Sequence, residues 1–106
     1  MATKLTPGIV ENIVRNYAEL LKREIGVKEV YLYGSYANGN YSEDSDIDVA
    51  VVADTFSGDL VEDTLLLMRL RRKIDNRISP RPFTSDAFEK DDPFIKEIKT
   101  KGIRII

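Results

Sequence analysis

The sequence predicts an α+β fold, a small mixed β-sheet with helices packed on it in an α/β two-layer arrangement. Three observations predict it. Apolar residues at helical spacing fill two long segments, one before residue 26 and one after residue 59. Between them lie two segments, 28–33 and 46–53, dense in β-branched and aromatic or otherwise apolar residues. Breaks marked by Gly, Asn or Pro separate the segments, giving the order αβ(turn)βαβαβ, which fits a sheet covered by helices.

Thr6 before Pro7 opens the first helix, with a side-chain oxygen for the free amides and a proline where its missing N–H costs nothing. Val10, Ile13, Val14, Tyr17, Leu20 and Leu21 form its apolar stripe, and Gly26 ends it. Residues 28–33 (KEVYLY) read as a strand that stops at Gly34. If Ser35-Tyr36-Ala37 begins a short helical turn, its free N–H groups favour an anion. Residues 46–53 (DIDVAVVA) are near-continuously apolar after their acids, which suggests a central strand covered on both faces. Asp59 caps the second long helix, with Glu62 completing a capping-box pattern, and that helix runs from residue 60 to about residue 74. Residues 77–83 (RISPRPF) form a third strand. Pro80 and Pro82 cannot donate to a ladder, so one side of it must be a sheet edge or a frayed end. Asp92-Pro93 opens a short helix, Gly102 closes it, and residues 103–106 can add a last strand.

The 106 residues suffice for one core, so the whole chain reads as a single domain. At 42% hydrophobic and 32% charged it has the composition of an ordinary soluble globular protein, with no apolar run of membrane-spanning length. The net charge of −2, with acids and bases interspersed, gives no bulk attraction to nucleic acid. Cysteine is absent, which excludes disulfides, thiolate nucleophiles and zinc–sulfur sites and fits a reducing cytoplasm. Histidine is absent too. A general base must therefore be a carboxylate, Lys, Tyr or water, and a metal must be held by oxygen.

Chemistry concentrates between the first two strands. On an extended strand Asp46 and Asp48 project from one face, their Cβ atoms roughly 6–7 Å apart, while Ile47 points into the core. Carboxylates so placed can share Mg²⁺, which takes a few protein oxygens together with phosphate oxygens. Unpaired acids at the start of a core-bound strand are costly unless they bind something. Gly34 lets a backbone approach a ligand and Ser35 offers a hydroxyl to a phosphate. The turn residues Asn38, Gly39 and Asn40 bring the two halves back together.

Residues 34–48 (GSYANGNYSEDSDID) match the Gly-Ser-x10-Asp-x-Asp signature of the DNA polymerase β-like nucleotidyltransferase superfamily. In length and layout the chain resembles its minimal nucleotidyltransferase group over residues 1–106. The resemblance implies a nucleotidyltransferase-like core in which Gly34 and Ser35 hold a nucleoside triphosphate, ATP by expectation. Asp46 and Asp48 would bind Mg²⁺, as two ions during catalysis. An acceptor hydroxyl, on a protein or a small molecule, would attack the α-phosphate and expel pyrophosphate. It further implies a HEPN-domain protein or a homo-oligomer as partner, with this chain as antitoxin to a HEPN-type toxin. Nothing resembles a template-binding domain, so a polymerase role is not expected.

Family chemistry uses a third carboxylate on the strand after the second long helix. Arg77, Ser79 and Arg81 share a face there, and relatives of this compact type carry an acid before proline where this chain has Ser79. Asp75 has the same parity and serves as a third catalytic acid if the strand begins early; otherwise it is a surface residue at a helix C-terminus. Asp86 falls further along, in a turn. Two functions follow: an active nucleotidyltransferase, or a catalytically weakened nucleotide- and metal-binding protein that acts by binding a partner. Leu65, Leu66, Leu67, Met68 and Leu70 wrap more of the second long helix than one buried stripe requires. That helix is either sandwiched in the core or carries an interface, and its basic end at Arg69, Arg71, Arg72 and Lys73 suits the helix dipole.

Overall fold

The computed structural model describes residues 5–42 and 44–106. Along them run α1 (Pro7–Ile25), β1 (Glu29–Tyr33), α2 (Ser35–Asn38), β2 (Ile47–Val52), α3 (Leu60–Arg71), β3 (Ile78–Phe83), α4 (Ser85–Phe88), α5 (Pro93–Lys101) and β4 (Ile103–Arg104).

Local chemistry sets the helix limits. The Thr6 hydroxyl accepts from the Ile9 N–H at 3.3 Å, and Gly26 turns α1 out at a φ of 62°. Asp59 accepts from the Glu62 N–H at 3.0 Å, but the Asp59 N–H goes to the Ser57 hydroxyl, so only half of the expected capping box forms. Asp63 explains why an acid can be buried at this helix start. Its carboxylate accepts from the Ser57 N–H and hydroxyl, both at 2.9 Å, and from the Gly58 N–H at 3.0 Å. Asp92 caps α5 by accepting from the Phe94 N–H at 2.8 Å. Thr84 caps α4 through the Ala87 N–H at 3.2 Å, making a short helical turn, and Asp86 lies within it.

The strands order as β3-β2-β1-β4. β1 pairs antiparallel with β2 and β4, while β2 and β3 run parallel with α3 as the crossover, so the sheet is mixed. β3 is an edge strand, as its two prolines demand. β4 ends early as a strand, although the Ile105 N–H still reaches the Val30 carbonyl at 2.8 Å.

β2 is buried on both faces. Ile47, Val49 and Val51 pack with Val10, Val14 and Tyr17 of α1 and Leu67 and Leu70 of α3. Ala50 and Val52 face Phe88 of α4 and Ile95 and Ile98 of α5. The Tyr17 hydroxyl donates to the Leu67 carbonyl at 2.7 Å and ties α1 to α3. α3 is not sandwiched: Leu67 and Leu70 are buried, but Leu60, Val61 and Leu65 are 56%, 68% and 58% exposed. No helix among the described residues is long and apolar enough to cross a membrane.

Candidate active site

The turn after β1 is shaped by one glycine. Gly34 has a φ of 76° and a ψ of −148°, a conformation L side chains rarely adopt. A Cβ built there would lie 2.2 Å from Oδ2 of Asp48, so the backbone of the turn lies directly against that carboxylate. The Ala37 and Asn38 N–H groups donate to the Gly34 carbonyl at 3.1 and 3.0 Å, which closes α2 into the expected short helical turn. Gly39, at a φ of 80°, and the Asn40 N–H on the Ser35 carbonyl end it. The chain then folds back: Tyr36 and Tyr41 stack with ring centres 4.9 Å apart. Ser42 and Ser45 make a tight turn through the Ser42 N–H on the Ser45 hydroxyl at 2.8 Å, just before Asp46. Glu43 of this loop lies outside the described residues.

β2 begins at Ile47, one residue later than the sequence suggests, so Asp46 is exposed on its threshold. Ile47 is fully buried, and Asp48 is half-buried opposite Tyr33 of β1. Burial first, and the Asp46 charge second, push the Asp48 carboxyl above the usual aspartate range. Burial and the Asp48 charge likewise raise the Tyr33 phenol, which Arg81 partly offsets. Two acids therefore crowd one corner of the sheet, beside the glycine turn.

The parallel register puts Ser79 of β3 beside Asp48 and Arg81 beside Ala50. Ser79 thus occupies the position from which a third-strand acid would meet the pair. The Arg81 guanidinium lies 5.0 Å from the Phe94 ring centre and 5.7 Å from that of Phe83. Asp75 precedes the strand and is held by its neighbour: Arg77 donates to it through Nε at 2.9 Å, Nη2 at 2.6 Å and its backbone N–H at 2.8 Å. These bonds hold the Asp75 carboxyl below its ordinary range despite partial burial. No group of three acids able to hold a metal forms among the described residues. Asp86, on α4 past the far end of β3, is remote in the fold from Ser79 at its start.

Three residues near the pair escape motif reading. Tyr33 follows from strand pairing, since the last residue of β1 faces the acid near the start of an antiparallel β2. Phe94 and Glu97 arrive from the far end of the chain on α5. With Tyr33, Gly34, Asn38 and Ile98 they line a cleft of about 170 Å³ beside the glycine turn.

Gly34→Ala tests this arrangement. Its methyl group would drive into Asp48 and force a residue with a Cβ into a positive-φ geometry. We expect a loss of about 1–3 kcal/mol in urea unfolding.

The glycine turn is thus packed on the second acid of the Asp-x-Asp pair, across antiparallel strands. The family model described as a nucleotidyltransferase domain matches residues 14–105. The chain belongs to this family. Among relatives of the nucleotidyltransferase, a Methanocaldococcus jannaschii protein named as a candidate protein adenylyltransferase is 42% identical over 45 residues, covering 42% of this chain and 45% of that protein. Protein adenylyltransferase MntA of Thermococcus cleftensis is 38% identical over 47 residues, covering 44% and 48%. The chain spans about half the length of the relatives it matches. A toxin–antitoxin crystal structure with AMP-PNP superposes with a TM-score of 0.59 at 24% identity, covering 91% of this chain and 72% of that one. The toxin–antitoxin MntA–HpeT gives a TM-score of 0.59 at 22% identity with the same coverage. These structural likenesses are ones of fold.

Proposed function

We propose that this nucleotidyltransferase domain, spanning residues 1–106, moves an adenylyl group from ATP onto a hydroxyl of a protein in the cytoplasm, in a Mg²⁺-dependent reaction. The observation that supports the reading is the close approach of Gly34 to Asp48, which would let a phosphate at the turn and a metal on the carboxylate share one ligand site. The names of the sequence relatives support the adenylyl group and the protein acceptor. The toxin–antitoxin neighbours support a toxin as that acceptor, of the HEPN class implied by the motif resemblance.

The donor set suits Mg²⁺. With no His or Cys in the chain, ligation is by oxygen, and the Asp48 carboxyl, raised first by burial and then by the Asp46 charge, sits where a cation would favour its ionised form. Asp46 and Asp48 would hold one or two such ions, whose contribution when bound is to neutralise charge on the phosphoryl oxygens. The Gly34–Ser35 turn holds the triphosphate and aims its α-phosphorus at the acid pair. The acceptor hydroxyl oxygen forms a bond to that phosphorus, the bond to the bridging oxygen breaks, and pyrophosphate leaves. Ser79 is no base at neutral pH, so the hydroxyl proton passes to water and the chemistry is slow.

Ser79 also favours a second reading, in which the pocket binds nucleotide and metal while the chain acts by protein binding. Transfer from α-phosphate-labelled ATP with Mg²⁺ into a lysate of the source cells separates the two. Label moved by wild type and not by Asp48→Asn supports the enzyme. Mg²⁺–ATP binding without label transfer supports the binding protein.

A further inference from the structure

We propose that α3 is the contact of a two-fold dimer between copies of this chain, the two helices packed antiparallel about Leu65. The inference is independent of the catalytic reading. Leu65 and Val61 stand one turn apart on the outer side of α3, opposite the buried Asp63, Leu67 and Leu70, and are 58% and 68% exposed. Arg69 and Arg72 continue the same stripe toward the C-terminus, and Glu62 flanks it near the N-terminus; all three are exposed. None of the three is in an ion pair among the described residues.

That stripe complements itself only when reversed. With Leu65 on the two-fold axis, Val61 lies one turn before it and Arg69 one turn after. Each Val61 then packs under the aliphatic stem of Arg69 of the partner subunit. The guanidinium of that arginine comes within reach of Glu62, and Arg72 of the partner subunit approaches the acidic cap at Asp59. A parallel arrangement would instead set arginine against arginine. Antiparallel packing also opposes the two helix dipoles, placing each positive end near a negative one. A two-fold contact closes, so it makes a dimer and stops. The contact leaves the site free, since Asp48 shares the sheet face of Ala50 and Val52, under α5, whereas α3 covers the other face.

Sedimentation equilibrium across a concentration series tests the contact. Wild type is expected to associate to a dimer. Leu65→Asp, which sets two carboxylates against each other on the axis, is expected to weaken it by about a hundredfold or more. Both proteins should keep the same helical circular dichroism, because Leu65 makes little of the core. Glu62→Arg alone should weaken the dimer as well, and Glu62→Arg with Arg69→Glu should restore it, since the swap returns opposite charges to facing positions. The proposal is overturned if wild type stays monomeric throughout, if Leu65→Asp associates as before, or if the double swap fails to recover association. A monomer throughout would leave the exposed face to a different protein.

Discussion

Ser79→Glu is expected to raise label transfer to the acceptor by about 10²–10⁴-fold, the span typical of a positioned general base. The register makes the expectation specific. Ser79 is the direct neighbour of Asp48 across the parallel β2–β3 pair, so a carboxylate there projects from the same face and meets the same ligand. On the proposed mechanism it would add a third carboxylate for Mg²⁺ and a base for the acceptor's proton. It also adds a third negative charge to a corner where Asp48 is already held protonated more readily than an ordinary aspartate. The variant without metal should therefore melt at a lower temperature than wild type and recover on addition of Mg²⁺. Ser79→Gln supplies the shape without the charge and should show neither effect. Single-turnover transfer and thermal melting with and without Mg²⁺ check the pair of outcomes. An unchanged rate with Ser79→Glu would place the limit outside proton transfer and favour the binding role.

The elements legible in the sequence are those governed by local chemistry. Thr6, Asp59 and Asp92 each cap the helix that follows, because a short side-chain oxygen next to an unpartnered N–H needs no tertiary context. Pro80 and Pro82 announced the sheet edge for an equally local reason. The acid pair and glycine turn were readable because they combine a fixed spacing with particular residue types. What stayed hidden depends on register and on distant chain. Ser79 could be suspected, but its place beside Asp48 follows only from the pairing of β2 with β3. Tyr33 and Phe94 reach the site through an antiparallel partner and through the α5 helix, and no local pattern couples them to residues 46–48. Asp75 had suitable parity, yet its bonds to Arg77, two residues on, engage it in a turn that parity does not foresee. Thr84 carried the signal for α4, a cap before a short run ending in Phe88, but too short a run to be distinguished from a loop.

Asp48→Asn should separate function from folding. On the proposed function, loss of the carboxylate removes one of the two acids assigned to the metal and the one against which Gly34 packs, so Mg²⁺-dependent ATP binding should vanish in calorimetry. Any label transfer should fall by about 10³-fold or more, as expected when the metal's charge neutralisation is lost. Stability should move the other way. Asp48 has its folded carboxyl pKa raised above 3.8 by burial and then by Asp46, so the folded state binds this proton more tightly than the unfolded chain. The resulting stabilisation is complete below the unfolded value near 3.8 and is lost as pH rises through the folded value. At neutral pH the ionised carboxylate therefore lowers wild-type stability, and the neutral amide escapes that loss. Without metal, Asp48→Asn should melt above wild type at neutral pH, and the gap should close on acidification toward pH 3.8. Mg²⁺ with ATP should reverse the order, stabilising wild type through binding to the folded state and leaving the variant unchanged. Melting curves across pH, with and without Mg²⁺–ATP, read both effects in one experiment. A variant that retains Mg²⁺–ATP stabilisation would remove Asp48 from the site, whatever the fold resembles.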